Sequence, residues 1–226
     1  MPLPARLPGA DLMIAFYLHG FASGPQSTKA AYFSDRLAEY GVRTCVPDFN
    51  EPDFASLTLT RMLDQLSGEI AKTDGEITLI GSSLGGTLAI LAAARALPRV
   101  DRVILLAPAV MFAKPGHHLL PPERLAEWQS RGALPFFHYA YDETRLLGYS
   151  FYEDSLRYDA AGSSFAQPAI VFQGTRDRTV EPRTVIEFSE RRPNVTLSLL
   201  DDDHQLMASL PAIWNGMAQF LGLAAA

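Results

Sequence analysis

The stretch Glu76–Ala96, EITLIGSSLGGTLAILAAARA, constrains this chain more than any other. Ile77–Ile80 is a short β-prone apolar run bounded by Gly75 and Gly81, and Thr87–Ala96 is an Ala- and Leu-rich segment that reads as a buried helix. Between them Gly81-Ser82-Ser83-Leu84-Gly85 fits G-x-S-x-G with Ser83 at the centre. A strand that feeds a helix through so few residues needs a sharp, crowded turn, which the glycines permit. Such a turn lifts the serine Oγ above the sheet edge. It also aims the positive end of the helix at the place where an oxyanion would develop. The five residues alone also describe a plain glycine-rich turn; the strand before and the helix after favour Ser83 as a nucleophile.

The rest of the chain repeats the strand-to-helix step. Met13–Leu18 reads as the first strand, and Gln26–Tyr40 as a helix capped near Ser27 and closed by Gly41. Val42–Val46 is a second strand, and Phe54–Lys72 a helix with Leu59, Met62, Leu63, Leu66 and Ile70 on one face. Arg102–Leu106 is a fourth strand. The rhythm then breaks over residues 109–167, where Pro115, Pro121, Pro122 and Pro135 leave one clear helix around Glu123–Arg131. It resumes with strand Ala169–Phe172, helix Pro182–Glu190, strand Val195–Leu200 and a last helix, Ser209–Leu221. The leader, residues 1–11, holds three prolines and reads as extended. The pattern predicts a single α/β domain over 1–226, with its core in 12–108 and 168–226 and a cap-like insertion over 109–167. Six strands alternating with helices imply a mostly parallel sheet covered on both faces. Functional residues of such a sheet gather at the carboxyl ends of its strands.

Composition narrows the function. A chain of 226 residues, 48% hydrophobic and 19% charged, can bury a substantial core. Its net charge of −6, without a basic run, favours neither nucleic acid nor an anionic membrane. No apolar run approaches the ~18 residues that a membrane-spanning helix needs. Leu12–Leu18 runs straight into His19-Gly20 without an A-x-A site, so it reads as a strand and not as a signal peptide, and a cytoplasmic location is expected. Cys45, the single cysteine, excludes an internal disulfide and a zinc-type cluster and reads as a small buried thiol.

Ser83 needs a base, and the base needs an orienting carboxylate. With the nucleophile on such a turn, acid and base follow it in chain order. Of the five histidines, His19, His117, His118, His138 and His204, only His204 comes after the last strand, in Asp201-Asp202-Asp203-His204-Gln205. Its alternative is a surface histidine in an acidic loop. Asp177, in Gly174-Thr175-Arg176-Asp177, is the one carboxylate just after the fifth strand, whereas Asp201–Asp203 read as solvating their loop. Backbone N–H groups of Leu84 and Phe21 are the expected oxyanion donors, with Gly20 allowing close approach. His19 reads as a brace for that loop at the substrate site, with a catalytic role as the alternative. His117-His118 lacks a third ligand at metal spacing and reads as a loop pair, so no metal is expected.

These residues resemble the α/β-hydrolase superfamily along nearly the whole chain. Within it, Tyr17-Leu18-His19-Gly20-Phe21-Ala22-Ser23-Gly24-Pro25-Gln26-Ser27-Thr28-Lys29-Ala30 resembles the opening of small YqiA-like bacterial esterases. The resemblance implies a hydrolase of carboxylic esters that needs no cofactor, acts on a small molecule, and works as a monomer or homodimer. Thioester hydrolysis, C–C bond cleavage and acyl transfer by the same triad remain open, as does a binding protein that kept the fold without turnover. The departure is the insertion, which holds eleven of the chain's 23 aromatic side chains. Phe136, Phe137 and Phe151 in it are expected to wall an acyl pocket beneath a cap. An accessory subdomain or a dimer contact is the alternative.

Overall fold

The computed structural model describes residues 13–95, 97, 99–117 and 119–223, so the leader and His118 lie outside the described residues. In chain order the elements are β1 (Met13–Leu18), α1 (Thr28–Ala38), β2 (Arg43–Cys45), α2 (Leu59–Ala71), β3 (Glu76–Ser82), α3 (Leu84–Ala94), β4 (Val100–Leu106), α4 (Pro122–Arg131), β5 (Ala133–His138), β6 (Glu143–Gly148), α5 (Ser150–Ser155), β7 (Ala169–Gly174), α6 (Pro182–Glu190), β8 (Val195–Leu200) and α7 (Leu210–Leu221). Six strands form one sheet in the order β2-β1-β3-β4-β7-β8. Every neighbouring pair in it is parallel. No described helix is long and apolar enough to cross a membrane.

The central strands are unbroken apolar runs because helices cover both of their faces. Side chains alternate across β1: Ile14, Phe16 and Leu18 point into one core layer, Ala15 and Tyr17 into the other. The first layer is closed by α2, α3, α6 and the insertion, the second by α1 and α7. Helix α3 is buried from Leu84 to Ala93, which is why it is apolar all round and shows no amphipathic stripe.

Three expectations need correction. Helix α2 starts at Leu59, not at Phe54. Thr58 accepts from Arg61 N and caps it, while Arg61 donates to the Phe49 and Asp53 carbonyls and holds 54–58 as a turn. Cys45 is half-buried, because β2 is a short edge strand, although burial still pushes its thiol pKa up. The insertion is also more ordered than its prolines suggest. Its strands β5 and β6 pair antiparallel, with Leu134 opposite Leu147, and Pro135 sits in a two-stranded ribbon where a missing N–H is tolerated. Buried Trp128 on α4 donates its indole N–H to Leu147 O at 2.8 Å and locks helix to hairpin.

One of the ties between the insertion and the core is a carboxylate. Asp154 on α5 accepts from Thr60 N at 2.7 Å and from Thr60 Oγ1 at 2.6 Å, so it satisfies an open N–H in the first turn of α2. Asp154→Ala should therefore cost about 1–2 kcal/mol of stability, read from the urea midpoint at constant m-value. An unchanged midpoint would mean that water replaces the carboxylate without loss.

Candidate active site

The site is built at the turn between β3 and α3. Ser83 sits at φ 53° and ψ −115°, a left-handed φ that a serine adopts only under constraint. The constraint comes from both sides. Ser83 N donates to Leu106 O at 2.9 Å, and Ser83 O accepts from Gly86 N, Thr87 N and Ala109 N at 2.8, 3.2 and 3.1 Å. The flanking glycines are needed for room. A β-carbon on Gly81 would run into the Gly85 carbonyl, and one on Gly85 into the carbonyls of Leu18 and His19.

The other two residues arrive from the ends of β7 and β8. His204 Nε2 lies 3.1 Å from Ser83 Oγ, and His204 Nδ1 lies 2.8 Å from Asp177 Oδ2. Asp177 is buried but well supplied with donors. Thr179 N and Val180 N donate to Oδ1 at 2.8 Å each, and Gln173 Nε2 to Oδ2 at 3.0 Å. Burial alone would raise its pKa; the His204 hydrogen bond and the two amides outweigh it and leave the carboxyl below its usual range. An acceptor-only carboxylate facing Nδ1 selects the tautomer with Nδ1–H, which leaves Nε2 to accept from the serine hydroxyl.

The loop that delivers His204 is held by a second aspartate. Asp202 was expected to solvate it, but is buried and accepts from Asp203 N at 2.8 Å and Ser209 N at 2.9 Å. Asp203 accepts from Gln205 N and does not contact His204. The loops after β7 and β8 press together so closely that a β-carbon on Gly174 would meet the Asp202 and Asp203 carbonyls at 2.5 Å.

Facing Ser83 from the end of β1, Gly20 lies so near that an added β-carbon would be 3.5 Å from Ser83 Cβ. The N–H groups of Phe21 and Leu84 have no hydrogen-bond acceptor among the described residues, and both residues line the cavity over Ser83. That cavity is about 1230 Å³, and Ala109, Met111, Phe112, Leu119 and Met207 give its wall apolar surface.

The expected acyl wall is not there. Phe136, Phe137 and Phe151 do not line the cavity: Phe137 is 48% exposed on the hairpin, and the other two pack behind the loop. Phe21 has Phe54, Phe136 and Phe151 around it at 5.5–5.7 Å between ring centres, so these aromatics brace the Phe21 loop. His19 also stays out of the cavity. It is buried, with Nδ1 donating to Gly20 O at 3.0 Å and Nε2 accepting from Phe49 N at 3.3 Å. The hairpin joins this bracing through residues no motif marked: His138 Nε2 meets Asn50 Oδ1 at 2.9 Å, Asn50 donates to Ser23 O at 2.8 Å, and Tyr139 N donates to Ala22 O at 2.9 Å. No group of three or more His, Cys, Asp or Glu among the described residues is arranged to hold a metal.

The fold is that of the α/β-hydrolases, and known structures agree. A candidate hydrolase from Agrobacterium vitis S4 superposes with a TM-score of 0.79 at 24% identity, over 92% of this chain and 87% of that one. Mouse α/β hydrolase domain-containing protein 10 gives 0.76 at 21% identity, over 93% and 90%. Est1E from Butyrivibrio proteoclasticus, with ferulic acid bound, gives 0.76 at 22% identity, over 92% and 89%. At these identities the likeness establishes the fold. Comparison with curated proteins gave no match. Residues 14–220 match the family model of UPF0227, an uncharacterised protein family, and the chain belongs to that YqiA-like family.

Burial holds the imidazoles of His19 and His138 below their ordinary pKa of 6.5. Above pH 6.5 both are neutral whether the chain is folded or not, so nothing is lost there. Below it the unfolded chain takes up protons that the folded state resists, and stability falls by up to ~1.4 kcal/mol per pH unit for each histidine. Denaturant midpoints measured from pH 7.5 to 5 should fall, and His19→Gln should flatten part of that slope. An unchanged slope would mean that His19 is as easily protonated folded as unfolded.

Proposed function

We propose that the protein is a serine hydrolase that cleaves carboxylic esters through an acyl-enzyme on Ser83. The observation that carries this reading is the continuous line from Asp177 through His204 to Ser83, with contacts of 2.8 and 3.1 Å, at a strained turn beneath an open cavity. A serine hydroxyl is a poor nucleophile near neutral pH, and a neutral imidazole with its other nitrogen on a carboxylate is what activates one.

His204 Nε2 takes the proton as Ser83 Oγ attacks the ester carbonyl. The negative charge that develops on the carbonyl oxygen falls to the N–H groups of Leu84 and Phe21, with the amino end of α3 adding its dipole. Protonated His204 then gives its proton to the departing alcohol. In the second half it takes a proton from water as that water attacks the acyl carbon, then returns it to Ser83 Oγ as the acid leaves. Asp177 keeps the imidazole in the productive tautomer and stabilises its positive form. No step asks for a cofactor. The acyl chain takes the apolar surface at Met111, Phe112 and Leu119 of the insertion, with Met207 from the loop after β8, so this part of the insertion, with the hairpin tip at Tyr139 and Ala140, acts as the cap. Est1E, which shares the fold and holds ferulic acid, adds support at the level of architecture.

The test is turnover of p-nitrophenyl esters of graded chain length, with acyl-CoA thioesters alongside. Ser83→Ala and His204→Ala should each lower kcat by about 10⁶-fold, and Asp177→Asn by about 10⁴-fold with folding intact. Ser82→Ala should keep most activity, and EDTA should change nothing. A dead Ser82→Ala beside an active Ser83→Ala would overturn the assignment. So would loss of turnover in EDTA that a divalent ion restores.

A further inference from the structure

Lys29 occupies a place that neither the core nor the Ser83 relay requires of a lysine. It stands in the first turn of α1, two residues after the cap Ser27, and lines the cavity that holds Ser83 and His204. The charges that act on it are Asp177, Asp203 and Asp202, from the loops after β7 and β8. A structural lysine would close onto one of these. Instead, among the described residues no carboxylate lies within 4.0 Å of its amine, and none accepts a hydrogen bond from it. Arg178, the one arginine on the wall, is likewise without an ion-pair partner among the described residues and sits exposed at the rim. Of the two carboxylates on the wall, Asp177 is taken up by His204, Gln173 and two amides, and Glu181 is exposed at the rim.

Keeping an ammonium in a recess without a partner is costly unless a ligand supplies one. The cavity wall therefore combines apolar side chains from the segment after β4 with a cation, Lys29, that has no ion-pair partner among the described residues. Resting on the esterase reading above, we infer that the substrate is an ester bearing a carboxylate, and that Lys29 binds this carboxylate, with Arg178 assisting at the rim. The site selects among esters by charge as well as by apolar fit.

Burial pushes the Lys29 amine down to about 8, against the pull of Asp177, Asp203 and Asp202. Arg178 at the rim favours the neutral amine and Glu181 the charged one. The amine is thus charged below about pH 8 and loses its charge above it.

The experiment uses the full chain and two matched ester pairs. In each pair a terminal carboxylate replaces a terminal methyl, once on the acyl chain and once on the alcohol. Parent enzyme should prefer the carboxylate member of one pair in kcat/KM by about tenfold or more at pH 7, as a charge-assisted contact does. That preference should fade as pH rises through about 8. Lys29→Met should collapse the ratio chiefly through KM, and Lys29→Arg should restore much of it. If Lys29→Met does not fold, competition in the parent decides. Glutarate should inhibit neutral-ester hydrolysis at pH 7 far better than its diamide, and lose that advantage at pH 9.5. No preference in either pair, or one that survives Lys29→Met or high pH, overturns the inference. Neutral-ester turnover that vanishes in Ser83→Ala keeps the hydrolase reading standing in that event. Absence of any ester turnover by the parent would instead bring down the hydrolase reading itself.

Discussion

The whole site depends on one backbone angle that serine does not choose for itself. Holding Ser83 at φ 53° costs about 1–3 kcal/mol, and the surrounding chain makes every alternative worse. Its amide is tied to the end of β4 and its carbonyl to three amides beyond it, while α3 begins so close to β1 that only glycine fits at position 85. Because β3 lies between β1 and β4, the ends of both neighbours reach the turn. Because the strands are all parallel, the loops after β7 and β8 emerge at the same sheet edge and lay Asp177 and His204 in line with it. Topology, strain and the relay are thus one constraint seen at three scales.

What the sequence disclosed follows from which forces are local. Strands such as Met13–Leu18 and helices such as Pro182–Glu190 are written in short-range pattern, and their bounds agree with the structure. That Ser83, Asp177 and His204 come together was legible for a different reason: chain order in a parallel sheet dictates which loops can meet. The insertion was not legible in the same way. Its aromatic richness shows that the segment needs burial, but not against what. Phe136 and Phe151 found Phe21, and Trp128 found the hairpin, so these rings became bracing and not a pocket wall. Gln173 stands in no motif, and Lys29, though it falls in the stretch that carries the family resemblance, has no role marked by it. Their importance lies in what stands across the space from them, which only three dimensions reveal.

The bracing is mixed in kind. Behind Phe21 it is aromatic, while beside it the contacts are polar: His19 to Gly20 and Phe49, and His138 through Asn50 to Ser23. Rings fill volume without regard to direction, whereas buried hydrogen bonds fix orientation, and the oxyanion site proposed above needs both. The same loop then leads through Ser27 into α1 and Lys29. One short segment therefore carries the Phe21 N–H at one end and the Lys29 amine at the other.

The central claim is that Ser83 is an activated nucleophile and not merely a serine in a tight turn. Treating the parent protein with a fluorophosphonate and mapping the adduct by peptide mass spectrometry tests this most directly. The account predicts a single stoichiometric adduct on Ser83, absent when His204 is replaced by alanine. No adduct on the folded protein, or one on Ser82 or elsewhere, would contradict it.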